Sequence, residues 1–259
     1  MCLILFAYQP SDKYKLVLIA NRDESYQREA KPAAFWPQQP HIFGGIDCTE
    51  GGSWLSVDTT GRFAAITNVR KPPFGKVNKQ SRGHIVNDFL SSQQSASEFM
   101  NTLQQTDTDY GLFNLLLLDA SGLWHYSSDS HQAQRITPGI HGLCNASLNT
   151  PWPKLTRGCD QLKQQLAQLT FDNNQLLSIM QSTQQASDKE LPNTGIDLEL
   201  ERFLSSAFIQ GENYGTRCST LLTIDHNNCL ELTELTYDNN GIGVLQVHQT
   251  IHTQESALI

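Results

Sequence analysis

Cys2 is the residue whose type and place in the chain offer the most chemistry. Removal of a preceding Met would leave a thiol and a free α-amine on one residue. A free α-amine has a pKa of about 7.7–8.0 and a thiol about 8.5. Near neutral pH the neutral amine can therefore draw the thiol proton, directly or through a water, and no histidine is needed. Two other readings stand beside this one. With Met1 retained the amine is blocked, and with Leu3, Ile4 and Leu5 following it Cys2 also reads as a small buried hydrophobe in a strand.

A nucleophile of this kind needs donors for an oxyanion. Asn68 and Asn145 each follow an apolar run, and an amide aimed at developing negative charge contributes about 3 kcal/mol. An ordinary Asx turn explains either asparagine equally well. Arg22 and Arg217 border apolar strands at opposite ends of the chain, where a guanidinium can brace a thiolate, a substrate carboxylate or a phosphate. The structural alternative is pairing of Arg22 with Asp23 or Glu24. Asp23 can also orient the α-amine, whereas Glu24 faces the other way along a strand.

Other chemistries find little in the residues. The eight His are dispersed and suggest no Ser-His-Asp arrangement. The six Cys include no C-x-x-C pair and no zinc spacing, which fits free thiols in a reducing cytoplasm. No cofactor or metal is expected. Haem would have only a lone axial side chain such as His84, His141 or Cys144. Gly51-Gly52 is followed by Ser-Trp rather than by the Lys-Ser/Thr of a phosphate loop. With 18 Lys and Arg against 26 Asp and Glu the formal charge is −8, which disfavours nucleic acid. Arg70, Lys71, Lys76, Lys79 and Arg82 form a short basic run, read as a solvated loop. No apolar stretch approaches the roughly 20 residues of a membrane span, so no integral membrane segment is expected.

The elements that must position these residues read as strands at 1–8 and 14–21, the second ending on Asn21-Arg22-Asp23-Glu24. Residues 25–48, with three prolines, read as an irregular excursion. Strands follow at 54–57 and 62–69, then amphipathic helices at 84–90 and 96–105. A hairpin spans 111–126 about Ala120-Ser121-Gly122, and a strand lies at 139–145. Helical periodicity returns at 154–169, 174–184 and 199–208, with a polar connector at 187–193. Final strands at 216–225 and 229–237 precede a polar tail, from about residue 240, expected to be loosely held. Short hairpin links imply antiparallel pairing, and strand groups separated by helix groups predict an α+β fold: a four-layer αββα sandwich in a single domain over 1–259.

Asn21-Arg22-Asp23-Glu24 also carries a resemblance. With Met1-Cys2-Leu3, Gly51-Gly52-Ser53-Trp54-Leu55, Gly61-Arg62-Phe63-Ala64-Ala65, Thr67-Asn68-Val69-Arg70, Ser81-Arg82-Gly83, Phe113-Asn114-Leu115-Leu116, Leu143-Cys144-Asn145-Ala146, Pro151-Trp152-Pro153-Lys154 and Gly215-Thr216-Arg217, it covers nearly the whole chain in order. The chain resembles the NRDE-motif, or transport and Golgi organisation 2-like, family. That family is similar to the N-terminal nucleophile hydrolases of the penicillin V acylase and bile salt hydrolase type.

The resemblance implies the αββα hydrolase fold and an order of catalytic residues matched here by Cys2, Arg22, Asp23, Asn68, Asn145 and Arg217. Asn21, Trp54 and Arg70 are expected to bind substrate. The hydrolases separate their Arg and Asp, whereas Arg22 and Asp23 are adjacent and face opposite ways in a regular strand; Asn21 in place of Asp23, or a bulge, would reconcile the two. The expected activity is that of an N-terminal-cysteine hydrolase or acyltransferase acting on a linear amide or thioester, a cysteine amidohydrolase of non-peptide C–N bonds with a small-molecule substrate. The alternative is a non-catalytic carrier of haem or an acylated cofactor or lipid, since animal relatives are linked to Golgi organisation and to haem or lipid handling.

Overall fold

A computed structural model describes residues 2–74, 80–168, 171–227 and 229–253. Thirteen strands and five α-helices are present among them. One sheet runs β10-β1-β2-β11-β12-β13 and the other β3-β4-β5-β6-β7-β8-β9, with every pairing antiparallel. The first sheet comprises β1 (Cys2–Tyr8), β2 (Tyr14–Ser25), β10 (Gly139–Leu143), β11 (Tyr214–Asp225), β12 (Cys229–Tyr237) and β13 (Gly243–His252). The second comprises β3 (Ala30–Trp36), β4 (Gln39–Asp47), β5 (Leu55–Asp58), β6 (Phe63–Asn68), β7 (Phe113–Asp119), β8 (Gly122–Ser127) and β9 (Gln132–Arg135).

Side-chain alternation builds the layers. Ile4, Phe6, Leu16 and Leu18 meet Phe43, Val57, Phe63 and Leu116 between the sheets. Leu3, Leu5, Val17 and Ile19, one residue out of phase, face α3 (Pro153–Leu166) and α4 (Asn173–Ile179). On the far side, Ala64, Ile66, Leu115 and Leu117 receive α1 (Gly83–Ser91) and α2 (Ala96–Leu103). The order is helix, sheet, sheet, helix, as the αββα reading expects. With both faces covered, the central strands are apolar at nearly every position and bury almost all of it.

Three expectations are corrected. Residues 25–48 form the β3–β4 ribbon instead of an irregular excursion. Pro32 is accommodated because β3 is an edge strand, Pro37 falls in the turn between the two strands, and Pro40 precedes the part of β4 that pairs with β5. The helices at 174–184 and 199–208 shorten to α4 and α5 (Leu198–Phe203). The tail after Tyr237 is not loose: its alternation of Val, Gln, His and Thr makes β13, which pairs along the full length of β12. Lys76, Lys79, Leu169 and Asn228 lie outside the described residues.

Candidate active site at the sandwich edge

Cys2 and Arg22 stand directly opposite each other in the β1–β2 register. Both continue the even-numbered face that points between the sheets. There they line a cleft of about 330 Å³ with Trp54, Asn68, Arg28, Asp47, Arg82 and Gly83. Burial raises the Cys2 thiol above its ordinary pKa, with Arg22 pulling the other way. Burial thus favours the protonated thiol, and a nearby base would help to make it a nucleophile.

Arg22 is not paired with Asp23 or Glu24, the partners its sequence neighbours suggest. Its Nη2 donates to Asp47 Oδ2 at 3.2 Å, and its guanidinium lies 4.3 Å from the centre of the Trp54 ring. Trp54, expected to touch substrate, thus also forms the platform for this arginine. Asp47 Oδ2 accepts a second bond, from Arg28 Nε at 2.6 Å, and Oδ1 accepts from the backbone N–H of Thr49 and Glu50. Burial acts to raise the Asp47 pKa. The Arg28 bond and the two amides outweigh it, and the carboxyl is held below its usual range.

Asn21 points the opposite way, into the helix layer, and Asp23, which also borders the cleft, turns its carboxylate toward Thr216. Asn21 donates to the carbonyls of Met180 and Ala207 and accepts from Ser219 Oγ, and is 1% exposed. It ties β2 to that layer, away from the expected substrate. Asp23 accepts from Thr216 Oγ1 at 2.7 Å. Burial raises its pKa, opposed by Lys154, which is itself buried and bonded to the Leu204 carbonyl. A bulge does occur here, on the partner strand: Thr216 pairs with Asp23 and Cys218 with Arg22, so Arg217 is the extra residue. Without it, Thr216 would face the other side of the sheet and miss Asp23.

Arg217 does not line the cleft. Its Nη1 donates to the carbonyls of Ser25, Tyr26 and Arg28, so it clamps the turn that carries Arg28. The two asparagines are adjacent but unequal. Asn68, at the end of β6, lines the Cys2 cleft and has no side-chain hydrogen bond among the described residues. Asn145 Nδ2 donates to the Asn68 carbonyl at 3.0 Å, while its own carbonyl accepts from the N–H of Arg70. It therefore holds the strand end that carries Asn68. Arg70 lies in a separate groove on the far side of Asn145, over Trp152 and bonded to Glu201 at 2.8 Å.

Arg82, read in the sequence as part of a solvated run, lies in the cleft, and Arg70 of the same run is bound to a buried glutamate. Among the described residues of the run, only Lys71, paired with Asp129 on the surface, matches the solvated reading. Arg28, Asp47 and Lys154 were missed as well. Their signal is weak: Arg28 sits in a turn, Asp47 ends β4 and Lys154 lies in the first turn of α3, and none stands in a pattern that itself points to chemistry. Of the lone haem-ligand candidates, His84 Nε2 bonds the Glu50 carbonyl, His141 Nε2 bonds the Thr137 carbonyl and Cys144 is buried. Among the described residues no three His, Cys, Asp or Glu gather as for a metal. No helix there is long and apolar enough to cross a membrane.

Two stacked antiparallel sheets between helix layers make the fold of the N-terminal nucleophile hydrolases. A Caenorhabditis elegans orthologue of N-acylethanolamine-hydrolysing acid amidase superposes with a TM-score of 0.50 at 10% identity, over 85% of this chain and 92% of that one. Residues 1–239 match the family model for transport and Golgi organisation 2, and the chain belongs to that family. It is 28% identical over 255 residues to the transport and Golgi organisation protein 2 homologues of Bos taurus and Homo sapiens, covering 90% of this chain and 92% of each relative. The Drosophila melanogaster protein is 25% identical over 266 residues, covering 91% of this chain and 92% of that one.

Proposed function

We propose that the protein is an N-terminal-cysteine hydrolase or acyltransferase, acting in the cytoplasm on a small linear amide or thioester. Once Met1 is removed, Cys2 attacks the carbonyl carbon. The α-amine takes the thiol proton and returns it to the leaving group, and water or an acceptor then releases the acyl group. Asn68 donates to the oxyanion, and Arg22 orients the substrate. Asn145 and Arg217 act as positioning residues, through Asn68 and through the turn at Arg28. Asp23 braces the sheet through Thr216. The observation that carries this reading is the shared opening of Cys2, Arg22 and Asn68 onto one cleft.

A haem or acyl-chain carrier finds less support. The cleft wall presents Arg22, Glu24, Arg28, Asp47, Glu50 and Arg82, and desolvating such groups against an apolar ligand is costly.

Intact mass establishes the first residue of purified protein, and a limiting dose of iodoacetamide followed by peptide mapping ranks the thiols. On protein lacking Met1, Cys2 is expected to label ahead of the other five cysteines. Labelling confined to those others would overturn the proposal.

A further inference from the structure

Arg82 occupies the Cys2 cleft with little to balance its charge. Nη1 donates to the Leu112 carbonyl at 3.1 Å, and among the described residues it forms no ion pair. Burial lowers its pKa, and the Cys2 thiol and Glu24 act on it from nearby in the other direction. A half-buried guanidinium without a carboxylate partner gains little for the fold alone.

Arg82 is also the cap of α1, whose start has no side-chain cap, although the N–H groups of His84 and Ile85 donate to the Ser81 and Arg82 carbonyls. No side chain closes the first turn of this nine-residue helix, and no acidic residue stands in it. Gly83, its first residue, lines the cleft. The amino end of a helix carries partial positive charge, which favours an anion.

Arg22 supplies an independent third feature. It is 5% exposed, and its Nη1 is buried with no hydrogen-bond partner while Nη2 binds Asp47. Asp47 is shared with Arg28, so one carboxylate serves two guanidinium groups. Of the remaining carboxylates lining the cleft, Asp23 is buried and accepts from Thr216, and the other two are more exposed. Glu50 is exposed, and half-buried Glu24 accepts from the Ser25 N–H. They oppose a second negative charge on whatever enters.

We propose that the Cys2 cleft holds a subsite for a single carboxylate of its substrate, formed by Arg82, the positive end of α1 and Nη1 of Arg22. This deepens the hydrolase reading by naming the substrate class: an amide or thioester that bears one carboxylate close to the scissile carbonyl. The anion site itself requires no catalysis by Cys2.

Iodoacetate and iodoacetamide form a matched pair of thiol reagents that differ in one negative charge. Rates at Cys2 are measured with each on the full-length processed protein and divided by their rates with free cysteine. The normalised iodoacetate rate should exceed the iodoacetamide rate by about tenfold, the effect of one favourable charge contact at partial burial. Arg82→Gln should bring the ratio to about one, and Arg82→Lys should restore much of it. Equal normalised rates in the wild-type protein would overturn the subsite and leave Cys2 as the nucleophile.

If neither reagent labels Cys2, the hydrolase reading fails, and the subsite is decided on Cys2→Ala. Sodium propionate should raise the melting temperature of that variant above sodium chloride at equal ionic strength, and above propionamide. This gain should vanish in the Cys2→Ala, Arg82→Gln double variant. Propionate no better than chloride would overturn the inference, as would inorganic phosphate stabilising more than propionate.

Discussion

At the cleft a single carboxylate, Asp47, fixes two guanidinium groups, one from β2 and one from the turn beyond it. Arg22 thereby gains a defined position beside the sulfur, with Trp54 as the second wall. Replacing Asp47 with Asn keeps the shape and removes the charge. It is expected to lower stability by roughly 2 kcal/mol, less than for a fully buried pair because Arg28 remains partly exposed. Because the folded Asp47 pKa lies below the ordinary value, its stabilisation is present above the unfolded pKa and is lost as pH falls through the lower, folded one. Thermal unfolding from pH 7 down to pH 3 should show a smaller decline in Asp47→Asn than in the wild-type protein.

Among the elements, the loop at residues 51–54 and the start of α1 are built against each other. Gly52 has φ +82°, and a Cβ there would come within 2.4 Å of the Gly83 carbonyl carbon. Ser53 N–H donates to the Gly83 carbonyl, and Ser53 Oγ donates to the carbonyls of Gly45 and Leu55. The same loop thus sets Trp54 under Arg22 and holds the amino end of α1 at the cleft. Gly52→Ala is expected to cost about 1–3 kcal/mol from backbone strain and the forced shift of α1. It should also slow Cys2 labelling relative to the other thiols. Melting temperature and peptide mapping read these two effects, and an unchanged pair of values would rule out this role for the loop.

For the molecule as a whole, β13 closes what would otherwise be an open flank. Ile251 and Val247 pack onto the core between the sheets, and β13 covers the β12 edge from Cys229 to Tyr237. Ending the chain after Asp238 would expose that ladder together with Leu230 and Leu232. The truncated protein is therefore expected to melt lower and to aggregate on concentration, an effect that light scattering would detect. A truncated chain that remained as stable and as dispersed as the parent would show β13 to be dispensable.

The sequence alone determined the fold class, because period-two apolar runs, short hairpin links and grouped helical periodicity leave few ways to bury every face. It also singled out Cys2, Arg22 and Asn68, since each stands at the end of an apolar strand, where a side chain leaves the core. The direction of the remaining side chains was decided only in three dimensions. Asn21 turned to the helix layer and Asp23 to Thr216 because alternation on β2 allows one face per residue, and Arg217 became the bulge that brings Thr216 to Asp23. Asn145 and Arg70 fell beyond the cleft wall, while Arg82 entered the cleft from a run that looked like surface. Local spacing sets which face of a strand a residue takes. Which distant loop or helix end meets that face depends on packing between the sheets, and no local pattern encodes it.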